Sequence, residues 1–149
     1  MRGRHTRPLW TCPKCERRFA NRNQSHACGR HQLASHLRGR PASVQALYRA
    51  FVRHARACGP LKVLPEKTRI AFQVRMSFAA VQLGRAGIRG HLVLSRRTPD
   101  RHFWRIDTIS ARNHVHYFRL QSVAELDRGF DALLRAAYAV GEQRHLATR

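Results

Sequence analysis

The sequence predicts an α+β fold, in which a small cysteine-rich N-terminal module precedes an antiparallel sheet packed by an N-terminal and a C-terminal helix. Three observations lead to this prediction. Three of the four cysteines lie between residues 12 and 28, which marks off a separate N-terminal segment. Two stretches with apolar residues at helical spacing flank the middle of the chain. Between them, short strand-like runs follow one another instead of alternating with helices, which favours antiparallel pairing.

The first predicted helix follows a boundary at Gly39-Arg40-Pro41. Ser43 is expected to cap its start, and Gly59-Pro60 is expected to end it. Its apolar stripe consists of Val44, Leu47, Tyr48, Phe51, Val52 and Ala55. This spacing predicts a helix that packs one face on the sheet.

The second predicted helix begins at Ser122, which forms a capping-box pattern with Glu125. Gly141 is expected to close it. Its apolar stripe consists of Val123, Leu126, Phe130, Leu133, Leu134, Ala137 and Tyr138.

Six strand-like runs fill the space between the helices, at residues 61–64, 68–74, 76–83, 91–95, 104–109 and 115–120. Gly84, Gly87 and Gly90 predict a hairpin turn between the third and fourth runs. We expect the two helices to cover one face of the resulting sheet and to leave the other face partly open.

The N-terminal segment carries cysteine and histidine side chains, which are the types that bind zinc in proteins. Cys12-Pro13-Lys14-Cys15 is a CxxC turn, which delivers two sulfurs to one ion, and Cys28 follows with His26 two residues before it. The predicted ligands are therefore Cys12, Cys15, His26 and Cys28. Four protein ligands would close the coordination sphere, so one structural Zn²⁺ is expected.

The fourth ligand has an alternative. Only one residue separates His26 from Cys28, which is a tighter spacing than zinc sites usually show. His31 is therefore a rival, in a set with Cys12, Cys15 and Cys28.

The charge of the chain predicts an acidic partner. The sequence has 29 Lys+Arg against 8 Asp+Glu, a formal net charge of +21. Nucleic acid is the polyanion that such a charge most often attracts. Beside the predicted zinc ligands, the arginines either offset the negative charge of the thiolates or bind phosphates; they are Arg17, Arg18, Arg22 and Arg30.

A second basic stretch covers residues 65–78 and includes the predicted strand at residues 68–74. Arg69 and Arg75 alternate there with Phe72, and arginines beside aromatic rings on a sheet suit single-stranded nucleic acid. The alternative interpretation is that Phe72 belongs to the core and the two arginines are simply solvated.

A pair of histidines suggests a different kind of site. On a strand, His114 and His116 point to the same face as Phe118. With Arg69 they could line a pocket on the open sheet face, in a small-ligand binder or an enzyme. The other interpretation is a pair of hydrogen-bonded structural histidines. The sequence shows no Ser-His-Asp order, HExxH, P-loop or GxGxxG, and it supplies no catalytic residue.

Four pieces of sequence carry a family resemblance: Cys12-Pro-Lys-Cys15, Gln24-Ser-His26-Ala-Cys28, Pro65-Glu-Lys-Thr-Arg-Ile-Ala-Phe72 and Asn113-His-Val-His116. With them the chain, from Trp10 to about residue 145, resembles an uncharacterised bacterial family, domain of unknown function 5655, in the form with an N-terminal zinc-finger-like extension. The resemblance implies a compact α+β domain similar in outline to the small YdhG-like folds, and it favours His26 over His31 as a ligand. It carries over no catalytic residue. Glu16 stands where glycine is common after the second cysteine of a finger, which should affect only the turn.

These observations give three predicted regions: a basic tail at residues 1–9, a zinc-finger-like module at 10–40 and an α+β domain at 41–149. The main functional hypothesis is a non-catalytic, zinc-binding module that binds nucleic acid or another polyanion. The alternatives are the small-ligand binder or enzyme described above, and a protein-interaction adaptor with an exposed apolar patch. No run of 18 apolar residues and no signal peptide is visible, so the cytoplasm is the expected compartment.

Overall fold

The N-terminal module is a small hairpin followed by a short helix. The computed structural model describes residues 7–26, 28–29 and 31–147. Strand β1 (Trp10–Thr11) pairs antiparallel with β2 (Arg18–Phe19), and helix α1 (Leu33–Leu37) follows. Leu33 and Leu37 of α1 pack against the core of the larger domain. Of the predicted basic tail, residues 1–6 lie outside the described residues.

The main sheet has six antiparallel strands. They are β3 (Lys62–Pro65), β4 (Ile70–Gln73), β5 (Ser77–Leu83), β6 (Ile88–Leu94), β7 (Phe103–Ser110) and β8 (Asn113–Leu120). Their spatial order is β3-β4-β5-β6-β8-β7. The last strand therefore inserts between β6 and β7, and β3 and β7 form the two borders of the sheet.

Two long helices, α2 (Ala42–Cys58) and α3 (Arg128–Gly141), pack on the same face of this sheet. The Phe51 ring of α2 lies 5.2 Å from Phe72 and 5.8 Å from Phe118, two residues that the strand register places on one face. Phe130 of α3 contacts Phe118 at 5.2 Å and Phe51 at 6.2 Å. All four rings are buried. The α+β fold and the helix-covered face are thus confirmed; a short helix α4 (Arg144–Ala147) ends the described chain.

Both long helices begin elsewhere than the sequence predicts. Helix α2 starts at Ala42, directly after Pro41, and Ser43 lies inside it without capping it. Helix α3 starts at Arg128, because the Asp127 carboxylate accepts a hydrogen bond from the Phe130 backbone N–H at 2.8 Å. The predicted box around Ser122 instead forms a 3₁₀ turn (Val123–Glu125).

The hairpin between β5 and β6 is confirmed, but the three glycines predicted for its turn do not all lie in the turn. Gly84 donates its N–H to the Gly87 carbonyl and closes the turn at 2.8 Å. Gly90 lies inside β6, not in the turn. A Cβ atom there would collide with the Ala80 carbonyl oxygen and approach the Phe118 Cζ to 2.8 Å, so only glycine fits without movement.

The second face of the sheet, which we call the outer face, is covered by the N-terminal module at the β4 side. Gln73 points away from the Phe72 side; it is only 3% exposed and its side-chain amide donates to the Arg18 carbonyl. Arg17 forms an ion pair with Glu66 at 3.2 Å. The remaining outer face, on β6, β8 and β7, carries exposed arginines and aromatic rings.

Candidate metal centre and basic surface

The β1–β2 hairpin brings the CxxC sulfurs together. The Cys12 N–H donates to the Arg17 carbonyl and the Glu16 N–H donates to the Cys12 carbonyl, both at 2.8 Å, so the chain folds tightly round the turn. Glu16 has φ +62°, the left-handed conformation that glycine adopts most easily. Glu16, which stands where glycine is common, therefore occupies a position in the turn, as the sequence suggests.

The four predicted ligand atoms converge on one point. The sulfurs of Cys12, Cys15 and Cys28 and the imidazole of His26 lie within 4.8 Å of one another. The Cys12–Cys28 sulfur distance is 3.7 Å, and Nε2 of His26 lies 3.2 Å from the Cys15 sulfur and 3.3 Å from that of Cys28. Zinc bond lengths in a tetrahedron imply about 3.8 Å between sulfurs and about 3.5 Å between sulfur and nitrogen. The cluster is therefore positioned to bind a metal ion, and its donors and spacing are consistent with Zn²⁺.

His26 is oriented by a hydrogen bond and by aromatic contacts. Its Nδ1 donates to the Gln24 carbonyl at 2.6 Å, and its Nε2 is directed at the sulfurs of Cys15 and Cys28. The Phe19 ring packs against the imidazole at 4.2 Å, and Trp10 lies 6.1 Å away. Backbone and ring contacts thus hold the imidazole in the orientation that a ligand needs.

His31 does not join this group. It is exposed, and the metal-type cluster that the described residues form contains His26 in its place. The structure thus distinguishes between the two histidines that spacing alone leaves open.

The thiols differ in acidity. The pKa of Cys12 is lowered to about 6, chiefly because the Cys15 backbone N–H donates to its sulfur. Burial raises the pKa of Cys28. Since the thiolate is the form that binds metal, the CxxC turn prepares Cys12 for coordination.

The arginines predicted to bind phosphate have varied surroundings. Arg17 and Arg69 both bind the Glu66 carboxylate, at 3.2 and 2.8 Å. Arg75 is half-buried and donates to the Gln143 side chain at 2.9 Å. Arg18 and Arg22 are exposed, and Arg30 lies outside the described residues.

His114 and His116 lie on the helix-covered face, where both are buried and hydrogen-bonded. His116 is fully buried; its Nε2 accepts the Thr98 backbone N–H and its Nδ1 donates to the His114 carbonyl, both at 2.9 Å. Burial lowers the pKa of His116, which keeps it neutral. Arg69 lies on the outer face, so the structure does not bring these three residues into one pocket.

The sequence did not point to an arginine pocket at the β5–β6 turn. This pocket has a volume of about 420 Å³, and we call it the arginine pocket because Arg40, Arg85, Arg89 and Arg119 line it. Its other lining residues are uncharged. Arg40 comes from the segment before α2, whereas the other three come from the sheet and its turn, and no sequence spacing links them.

Next to the pocket, aromatic rings lie on the outer face. The Arg119 guanidinium stacks 4.3 Å from the Trp104 ring, which lies 5.7 Å from Tyr117. Arg105 lies 5.5 Å over the Tyr117 ring and pairs with Asp107. Arginine and aromatic side chains thus lie together on β7 and β8, which the sequence did not indicate. On β4, where that combination was expected, Phe72 is buried in the core.

The fold and the cluster define the class: an α+β protein whose N-terminal module holds three cysteines and one histidine in positions suited to bind a metal ion. The sequence model of the family described as Domain of unknown function (DUF5655) matches residues 33–141, and the chain belongs to that family. The match begins at α1, so the Cys/His cluster lies in an extension before it. No curated protein and no solved structure matches the chain. None of the described helices has the length and apolarity that a membrane crossing requires.

Proposed function

We propose that this protein is a non-catalytic nucleic-acid-binding module whose N-terminal part is held by one structural Zn²⁺. Cys12, Cys15, His26 and Cys28 would fill all four positions of a tetrahedral ion and leave none for a reactive water. In this role the metal supports the hairpin that packs against the β4 end of the outer face.

The observation that carries the proposal is the arginine pocket. Four arginines are among the residues that line one concave surface, and no carboxylate residue is among them. Guanidinium groups bind phosphate oxygens through paired, charge-assisted hydrogen bonds. The lining therefore suits a phosphate backbone, and the formal net charge of +21 would attract such a partner from a distance.

Strand register strengthens this argument. Arg89 and Arg119 lie directly opposite each other on β6 and β8. Like charges at such positions destabilise a sheet. Within the described residues neither arginine forms an ion pair with a carboxylate: Arg89 donates to the Gln82 side chain, and Arg119 stacks on Trp104. A bound phosphate would relieve the repulsion.

The test is a titration with fluorescent oligonucleotides, single-stranded and duplex, followed by anisotropy at several salt concentrations. If four arginines neutralise four phosphates of a single strand, the slope of log affinity against log salt is about −2.8, a loss of about 50-fold between 50 and 200 mM. In the double variant Arg89→Gln/Arg119→Gln the slope should fall to about −1.4, and the loss to about 7-fold.

A matched control carries the same change of charge elsewhere. Arg53→Gln/Arg56→Gln alters two exposed arginines of α2, which packs on the opposite face of the sheet. The control should keep the slope of the unaltered protein. Absence of binding to both oligonucleotides at low salt would overturn the proposal, as would an equal effect of the two double variants.

A further inference from the structure

We infer that the outer face around Trp104 and Tyr117 binds the unpaired bases of a single-stranded nucleic acid whose phosphates enter the arginine pocket. This inference rests on the proposed function and names its substrate class. It is carried by a bulge in β7, by the exposure of the Trp104 ring beside the half-buried Tyr117, and by the contact between Trp104 and a residue of the pocket.

A bulge places two consecutive side chains on the outer face. Phe103 pairs with Phe118, yet Arg105 pairs with Tyr117, so Trp104 is an extra residue in β7. In a regular strand Trp104 and Arg105 would point to opposite faces. Because of the bulge, Trp104 contacts Arg119 while Arg105 lies over Tyr117, and both contacts are on the outer face. Bulges commonly redirect a side chain in this way beside a functional site.

The exposed indole is suited to stacking. Trp104 is 51% exposed although it is a large apolar side chain. The Arg119 guanidinium lies 4.3 Å from its ring, which holds the indole in place and puts positive charge beside it. Aromatic rings combined with a basic groove are the usual means of binding a single strand, since every base has a face that can stack.

The geometry favours a single strand over a duplex. The Trp104 and Tyr117 rings are 5.7 Å apart and inclined at 46°. Stacked nucleotides in a duplex rise about 3.4 Å. Two bases resting on these rings must therefore be separated from each other, which a flexible single strand allows. In a duplex, the base faces are already covered by their neighbours.

Arg119 connects the rings to the pocket. It stacks on Trp104 and also lines the arginine pocket. Arg89, which lies opposite it on the neighbouring strand β6, lines the same pocket. A base on Trp104 would therefore have its phosphate close to several guanidinium groups. Charge complementarity thus selects a polyanion, and the exposed Trp104 ring selects one that carries bases.

The experiment uses Trp104 as its own reporter. The chain has two tryptophans, so Trp10→Phe leaves Trp104 as the sole indole. The probes are an unlabelled oligothymidine, a duplex of matched length and inorganic polyphosphate, which has charge but no bases. We expect the oligothymidine to quench the fluorescence and to bind at least about 10-fold more tightly than the duplex. Polyphosphate should leave the fluorescence unchanged.

Variants separate stacking from charge. Trp104→Ala in the otherwise unaltered chain should weaken oligothymidine binding by about 5- to 150-fold, measured by anisotropy, and leave polyphosphate binding unchanged. Ile109→Ala is the control, because Ile109 is an exposed apolar residue of the same strand. It should change neither affinity. Circular dichroism should show the same fold for both variants.

The two proposals fail in different ways. If oligothymidine, duplex and polyphosphate bind equally and Trp104→Ala has no effect, the stacking site is refuted while nucleic-acid binding stands. Quenching by polyglutamate as strong as that by oligothymidine would also refute it, in favour of an acidic protein partner. If no oligonucleotide binds at low salt, the proposed function itself fails.

Discussion

Replacing Cys28 with serine is expected to abolish metal binding and to unfold the N-terminal module while the α+β domain stays folded. A structural zinc contributes about 10–16 kcal/mol to the folding of a finger-sized unit. In this module the buried apolar side chains between residues 10 and 26 are those of Cys12 and Phe19. Burying so little apolar surface cannot replace the metal, so the hairpin should not fold without it.

The cost to the larger domain follows from the contacts between the two parts. Arg17 pairs with Glu66, and Gln73 donates to the Arg18 carbonyl. An ion pair of this kind contributes about 0.5–1 kcal/mol and a neutral hydrogen bond about 1 kcal/mol. Loss of the module should therefore lower the stability of the α+β domain by about 2 kcal/mol, which corresponds to a decrease in Tm of about 5–10 °C.

Three measurements check this prediction: elemental analysis for zinc per chain, thermal unfolding, and hydrogen exchange resolved by peptide. The Cys28→Ser variant should contain no zinc and exchange rapidly over residues 10–28, with protection kept in β4 to β8. His31→Ala is the matched control and should retain one zinc. A Cys28→Ser protein with a full zinc and a protected hairpin would refute the reasoning, as would loss of zinc in His31→Ala.

Three further predictions concern stability. Tyr48→Phe should stabilise the protein by about 1 kcal/mol in urea unfolding, because the Tyr48 hydroxyl is buried without a hydrogen-bond partner among the described residues. The control is Tyr138→Phe, which should destabilise the protein because the Tyr138 hydroxyl donates to a backbone carbonyl at 2.6 Å. Gly90→Ala should cost about 3 kcal/mol or more, since the new methyl group meets the Ala80 carbonyl oxygen; an unchanged urea midpoint would contradict the packing described for β6. Asp127→Asn should destabilise the protein at about pH 7 and much less at about pH 2. The pKa of Asp127 is lowered to about 2, first by a backbone N–H at the start of α3 and then by an arginine, so its stabilisation is present above about pH 4 and lost as the pH falls towards 2. Equal destabilisation at both pH values would refute that origin.

The sequence predicted the metal cluster almost completely, because ligand chemistry is local. The CxxC turn fixes two sulfurs, and Cys28 is close enough along the chain to supply the third. The sequence did not decide which histidine is the fourth ligand, because both His26 and His31 lie within reach of Cys28. The orientation of the His26 imidazole depends on the backbone carbonyl of Gln24, and no residue pattern identifies such a contact.

The existence of both long helices was predictable, whereas their starts were not, and the start of α3 shows why. Ser122 and Asp127 are both suitable caps, five residues apart, and the local pattern of Ser122 with Glu125 is the stronger one. Only Asp127 caps a helix with its side chain, at the start of α3; Ser122 precedes the 3₁₀ turn without a capping hydrogen bond. The helix starts at Arg128 because Phe130 is then placed in the core against Phe118, a contact distant in sequence.

Neither the arginine pocket nor the group of rings around Trp104 could be predicted from the sequence, for a related reason. The position of β8 between β6 and β7 brings Arg89 and Arg119 together, and strand order is a property of the whole sheet. The bulge at Trp104 shifts the alternation of β7, so a period of two assigns its neighbours to the wrong faces.

The two borders of the sheet bear on how copies of the chain behave at high concentration. Strand β7 carries a second irregularity between Thr108 and Ser110, so neither end of it offers a regular ladder to a neighbouring molecule. On the other border, β3 is four residues long and ends in Pro65, which has no N–H to donate. Such borders resist strand-by-strand growth into fibrils. Copies of the chain at high concentration should therefore remain separate molecules.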